Sequence, residues 1–86
     1  MKIYYTSKFL SSYRKFPKSV KLDAEKKEKL FRKDPFDPSL KTHKLTGKFK
    51  SFWSFSIDRK YRIIFEFTKK NEVLFHKAGP HDIYRK

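Results

Sequence analysis

The segment from Lys41 to Arg62 carries Lys41, Lys44, Lys48, Lys50, Arg59, Lys60 and Arg62 against one acid, Asp58, with His43 and Trp53 set among them. Cations interleaved with aromatics suit a single-stranded nucleic acid, because the cations neutralise phosphates and an aromatic face stacks a base. An RNA strand also brings its own nucleophile, the 2′-hydroxyl. Cutting it takes a base for the hydroxyl proton, a cation for the charge growing on the phosphate, and an acid for the departing 5′-oxygen; no metal is required. A histidine, with an unperturbed pKa of about 6.5, serves in either proton role near neutral pH. Arginine grips two phosphate oxygens with its fork. His43 and His81 are therefore the candidate proton carriers, Arg62 the phosphate clamp, and Tyr84 a stacking or proton-donating group. Lys44, Lys48, Lys50 and Lys60 are candidate phosphate contacts, and Trp53 is a candidate base platform. Each has a plainer reading. Trp53 alternates in phase with Phe55 and Ile57, which suits the core; Arg62 has a possible ion-pair partner in Glu66; His76 reads as an ordinary strand histidine.

The composition agrees with an anionic partner. The chain has 86 residues with 23 Lys and Arg against 9 Asp and Glu, a formal net charge of +14. Self-repulsion on that scale costs stability, and a polyanion relieves it. Nucleic acid is the first candidate, an acidic protein the second and an anionic membrane surface the third. The membrane is the weakest, because no apolar run nears the roughly 20 residues that span a bilayer. Met1-Lys2-Ile3-Tyr4-Tyr5 lacks the apolar stretch of a secretory signal, and the absence of cysteine favours the cytosol, so a cytoplasmic location is expected. Without cysteine there is neither a thiol nucleophile nor a cysteine zinc site, and His43, His76 and His81 are too scattered for a metal site. No metal and no cofactor are expected.

The elements that must position these residues follow from the periodicity. Ile3 to Tyr5 reads as a strand, and Thr6-Ser7 as a helix N-cap. Phe9, Leu10, Tyr13 and Phe16 recur at helical spacing until Pro17 stops the helix. Ser19 is placed to cap a second helix, whose stripe is Val20, Ala24, Lys27 and Phe31 with Leu30 beside it. Asp34-Pro35-Phe36-Asp37-Pro38 ends it in a loop. From Lys48 the period is two: Trp53, Phe55 and Ile57, then Tyr61, Ile63, Phe65 and Phe67, a turn at Lys69 to Glu72, and a strand from Val73 to Ala78 that Gly79-Pro80 breaks. Gly47 suits a turn at the start of this meander. The order is βααβββ, an α+β domain spanning 1–86 in which a helical hairpin packs on one face of a small, mainly antiparallel, twisted sheet. Ten Phe, five Tyr and one Trp supply a core dense enough for so short a chain.

One ordered set of motifs goes further. His43-Lys44-Leu45-Thr46-Gly47, Phe52-Trp53-Ser54, Ile57-Asp58, Tyr61-Arg62-Ile63-Ile64-Phe65 and Gly79-Pro80-His81-Asp82-Ile83-Tyr84 follow one another as in the RelE/YoeB/YafQ toxins of the RelE/ParE superfamily, which the chain resembles over nearly its whole length. The resemblance implies a RelE-like βααβββ fold and the toxin of a type II toxin–antitoxin system. Such a toxin cleaves mRNA, commonly in the ribosomal A site, inhibits translation, and is silenced by a small acidic antitoxin. It places a catalytic residue at His43, the phosphate-contacting strand arginine at Arg62, and the C-terminal pair at His81 and Tyr84. The chain departs from the pattern at Pro80, where Ser or Thr is common, at Lys60, where YafQ-like members have an acid, and at Phe55 and Ser56, where relatives often have Lys or Arg. Tyr84 follows His81 by three positions rather than the more usual four. Two rivals remain at this point: a ParE-like protein that inhibits DNA gyrase through protein contacts, and a non-catalytic basic RNA-binding module.

Overall fold

The computed structural model describes residues 1–49 and 51–80, so His81, Tyr84 and Lys50 of the sequence reading lie outside the described residues. The chain opens with strand β1 (Lys2–Tyr5) and enters helix α1 (Ser7–Arg14) through Thr6, whose hydroxyl accepts the Phe9 N–H at 2.9 Å. The same hydroxyl donates to the His76 carbonyl at 2.8 Å, which ties the start of the helix to the sheet. Ser12 adds a second tie by accepting the Ala78 N–H at 3.2 Å.

Helix α2 (Lys18–Lys33) departs from the expected start. Its N-cap is Pro17 rather than Ser19, which lies inside the helix. Proline arrives with φ already helical, here −57°, and its carbonyl accepts the N–H groups of Val20 and Lys21, so no side-chain cap is needed. The periodic stripe then buries Val20, Ala24 and Phe31. Phe31 is fully buried and faces three equally buried rings. It stacks on Phe55 at 4.7 Å between centroids and meets Phe65 and Phe75 edge-on at 4.9 and 5.6 Å.

A 3-10 turn (Pro38–Leu40) follows, with Asp37 accepting the N–H of Ser39. A two-residue strand, β2 (His43–Lys44), follows as an element that the periodicity did not reveal. A second 3-10 turn begins at Gly47, whose φ of +68° is a backbone conformation that glycine adopts freely. The meander is β3 (Trp53–Ser56), β4 (Tyr61–Lys69) and β5 (Glu72–Pro80). The expected break at Gly79-Pro80 is absent: Arg62 pairs with Gly79, and Tyr61 with Pro80. Beyond Phe75 the strand has lost its β1 neighbour, so proline's missing N–H falls at an open edge where it leaves no ladder bond unmade.

The sheet order is β1-β5-β4-β3-β2, with β1 parallel to β5 and the other pairs antiparallel. The fold is therefore the α+β arrangement expected, two helices on one face of a mainly antiparallel sheet, with β2 as a fifth strand.

Candidate functional site

The helix-side face is set by Phe55 and Phe65, which pack against Phe31. Directly opposed residues of antiparallel strands share a face, and neighbours along a strand alternate. His43 pairs with Ser54 and Ser54 with Ile64, while Ser56 pairs with Arg62. His43, Ser54, Ser56, Ile64 and Arg62 thus lie together on the face away from the helices. The route from His43 to Arg62 crosses two strand spacings and one pleat repeat, a backbone separation of about 12 Å.

Arg62 is half-buried, and its Nη1 donates to the Ser56 hydroxyl at 2.6 Å. The ion pair with Glu66 does not form; Glu66 instead meets His76 Nε2 at 2.9 Å, and the His76 ring stacks on Phe52 at 4.5 Å. Among the described residues the Arg62 Nε and the Ser54 hydroxyl are buried without a hydrogen-bond partner. Buried polar groups are rarely left so, and these two lie on the same face, on either side of Ser56.

Beside Arg62 opens a cleft of about 370 Å³. Lys27 of α2, Lys41, Arg59 and Arg62 face it, against Asp58 as the one acid. That carboxylate accepts the N–H groups of Lys60 and Tyr61 at 2.8 and 2.7 Å, so it shapes the β3–β4 turn. Asp37, close by, is held below the usual carboxylate range by the hydrogen bond from the Ser39 hydroxyl, then by the Ser39 N–H, with the charge of Lys27 adding to both.

His43 is exposed, and its Nδ1 lies 3.1 Å from the Lys41 carbonyl. A carbonyl only accepts, so Nδ1 carries the proton there, and Nε2 of the neutral ring is left with a free lone pair. Lys41 presents that carbonyl from a left-handed backbone, φ 53°.

The remaining sequence candidates are dispersed. Lys44 pairs with Trp53, which places both on the helix-side face, opposite His43. Trp53 is half-buried and sits edge-on to Phe36 and Phe67, each at 5.5 Å, in keeping with the core reading of its alternation. Lys48 is exposed in the turn after Gly47, and Lys60 is exposed with its ammonium 5.5 Å from the Tyr61 ring centroid. Sequence reasoning passed over Lys27, Ser54 and Ser56. The first was visible as a cation in an apolar stripe, the others as the polar half of the β3 alternation. Among the described residues no group of three or more His, Asp or Glu could hold a metal, and no helix is long and apolar enough to cross a membrane.

By sequence, the chain matches no family model and no curated protein. By structure it matches toxins. YafQ from E. coli superposes with a TM-score of 0.77 at 18% identity, over 92% of this chain and 91% of that one. The chain has the fold of the YafQ and YoeB toxins. The YoeB–YefM toxin–antitoxin from Staphylococcus aureus, solved as a heterotetrameric complex, also superposes at 0.77, with 15% identity over 94% and 97% of the two chains. A copper-bound mutant toxin from Helicobacter pylori matches at 25% identity and a TM-score of 0.70, over 98% of each chain.

Proposed function

We propose that this chain is the toxin of a type II toxin–antitoxin pair, a metal-independent endoribonuclease that cuts mRNA, in the cytoplasm and at the ribosomal A site. The observation that carries the reading is the strand pairing that puts His43 and Arg62 on one sheet face, with a cation-lined cleft opening beside Arg62. In this reading the scissile phosphodiester is held between them. His43 Nε2 takes the proton of the 2′-hydroxyl, and the oxygen attacks the adjacent phosphorus. Arg62 holds the phosphate oxygens as their charge grows, a contribution of the kind whose removal costs about 10²–10³ in rate. The bond to the 5′-oxygen breaks, and that oxygen leaves with a proton from an acid, a role for which the motif resemblance offers His81 with Tyr84. The products are a 2′,3′-cyclic phosphate and a 5′-hydroxyl end. The partner that silences the chain is an acidic antitoxin, suited to its +14 charge.

The test is inducible expression in a bacterial host with primer extension on abundant mRNAs over the first minutes, wild type beside His43→Ala. Discrete new 5′ ends and growth arrest in the wild type alone are expected. Arrest with intact mRNA would overturn the reading in favour of another target such as gyrase. No arrest would favour a non-catalytic module.

A further inference from the structure

Lys27 occupies a position that its helix otherwise gives to the core. It falls three residues after Ala24 and four before Phe31, the spacing that puts side chains on one helix face. Ala24 and Phe31 are 3% and 0% exposed. Lys18, Lys26, Lys29, Arg32 and Lys33 of α2 are exposed, whereas Lys27, like Lys21, is half-buried. The ion pairs among the described residues are Arg32–Glu28 and His76–Glu66, and neither involves Lys27. A lysine on an apolar stripe buries its stem and carries its ammonium out to the nearest polar space. Here that space is the cleft that also receives Lys41, Arg59 and Arg62.

The carboxylates of Asp37, which feels the Lys27 charge, and of Asp58 in the cleft stand against four cations, so positive charge is in excess there. Like charges gathered around one concavity repel, and the low-dielectric wall sharpens the repulsion. An anion in the cleft reverses the sign of every one of those terms. The cleft's 370 Å³ lies within the range of about 300–1,000 Å³ that small-molecule sites occupy, room for a nucleotide and not only for the phosphate that Arg62 would hold.

We infer that Lys27, with Lys41 and Arg59, forms a second phosphate subsite beside Arg62 that binds the phosphodiester neighbouring the one being cut. The inference rests on the ribonuclease reading for its substrate. It makes Lys27 a substrate-positioning residue contributed by the helical layer to a site otherwise built on the sheet and its turns.

The test compares wild type, Lys27→Met and Lys27→Arg in fluorescence anisotropy with a short, fully 2′-O-methylated RNA strand, which binds without being cut. Methionine keeps the apolar stem, so a circular-dichroism melt is expected to show the Met variant folded. The expected result is a several-fold weaker affinity for Lys27→Met. Its slope of log affinity against log salt should be shallower by about 0.7, the value of one phosphate contact on a single strand. Lys27→Arg should restore both. Equal affinity and slope in all three proteins would overturn the inference. So would a Met variant that loses binding of inorganic phosphate while keeping RNA affinity, which would mark a site for a free anion. Cleavage of the unmodified strand is followed in parallel. A wild type that binds through Lys27 without cutting would sink the ribonuclease reading and leave the subsite standing. A wild type that cuts while binding independently of Lys27 would do the reverse.

Discussion

Replacing Arg62 by methionine should disable the site without weakening the fold. The structure supplies the balance. Arg62 sits half-buried on β4 with its Nε enclosed and, among the described residues, unpartnered. A buried polar group left unsatisfied costs about 1–3 kcal/mol, and the Met variant removes that cost. Against it stands the bond from Nη1 to the Ser56 hydroxyl at 2.6 Å, and a hydrogen bond made by a charged group contributes about 1.5–3 kcal/mol. These nearly cancel. The remaining factor is charge: Lys27, Lys41 and Arg59 line the same cleft, and among the described residues no carboxylate pairs with Arg62, so losing the guanidinium relieves repulsion. The expected net effect runs from neutral to about 1 kcal/mol of added stability, seen in urea as a midpoint unchanged or raised by up to about 0.5–1 M. RNA cleavage should fall by about 10²–10³, as when a donor to a developing oxyanion is lost. Opposite signs in the two assays are the pattern of a residue kept for function at some cost in stability. A Met variant more than about 1 kcal/mol less stable would refute the reasoning, because the arginine would then be holding the strand rather than waiting for a phosphate.

Two further outcomes follow from the geometry. Phe31→Ala removes the ring that Phe55, Phe65 and Phe75 surround; it should cost about 3–5 kcal/mol in urea denaturation, a large part of what a domain of this size has, and a loss under 1 kcal/mol would mean the helix is not the lid of the core. The Tyr5 hydroxyl is pushed up to about 12 by burial, then by the 2.5 Å hydrogen bond it donates to Glu28 and by that residue's charge. The folded state holds this proton more tightly than the unfolded one, so its contribution to stability is complete below pH 10 and is lost as pH rises through 12. Burial also raises the Tyr13 phenol, so an ultraviolet titration of the wild type should show the Tyr5 phenol ionising late beside it, and Tyr5→Phe should lose part of that late amplitude; unchanged curves would place the late phenol elsewhere.

The fold was legible because its signals are strong and local. Phe9 and Tyr13 announce one helix, which ends at Arg14 and leaves Phe16, expected within it, just beyond; Val20, Ala24 and Phe31 announce the second, and the alternation through Trp53 to Phe65 the meander. What the sequence hid depended on partners far along the chain. A two-residue strand such as His43–Lys44 has no periodicity to read, since it exists only because Ser54 and Trp53 pair with it. Proline's place at the end of β5 depends on where β1 stops, which no local pattern records. The site was legible in part. His43 and Arg62 were proposed on their chemistry, and strand pairing places both on one face. Trp53 and Lys44 matched the same chemistry and lie on the other, because a one-residue step along a strand reverses the face.

That division of faces explains how one short chain serves two demands. The helix side is filled by aromatic rings that bury one another, with Phe31, Phe55, Phe65 and Phe75 all fully enclosed. The other side holds the unsatisfied groups, the Arg62 Nε and the Ser54 hydroxyl, and lies beside the cation-lined cleft. Those features oppose folding, and they can be tolerated only because the ring cluster on the helix side does not depend on them. On the proposed reading a polyanion in the cleft gives the gathered cations a counter-charge. The same charges suit an acidic protein, so on the proposed reading an antitoxin and RNA compete for one set of cations.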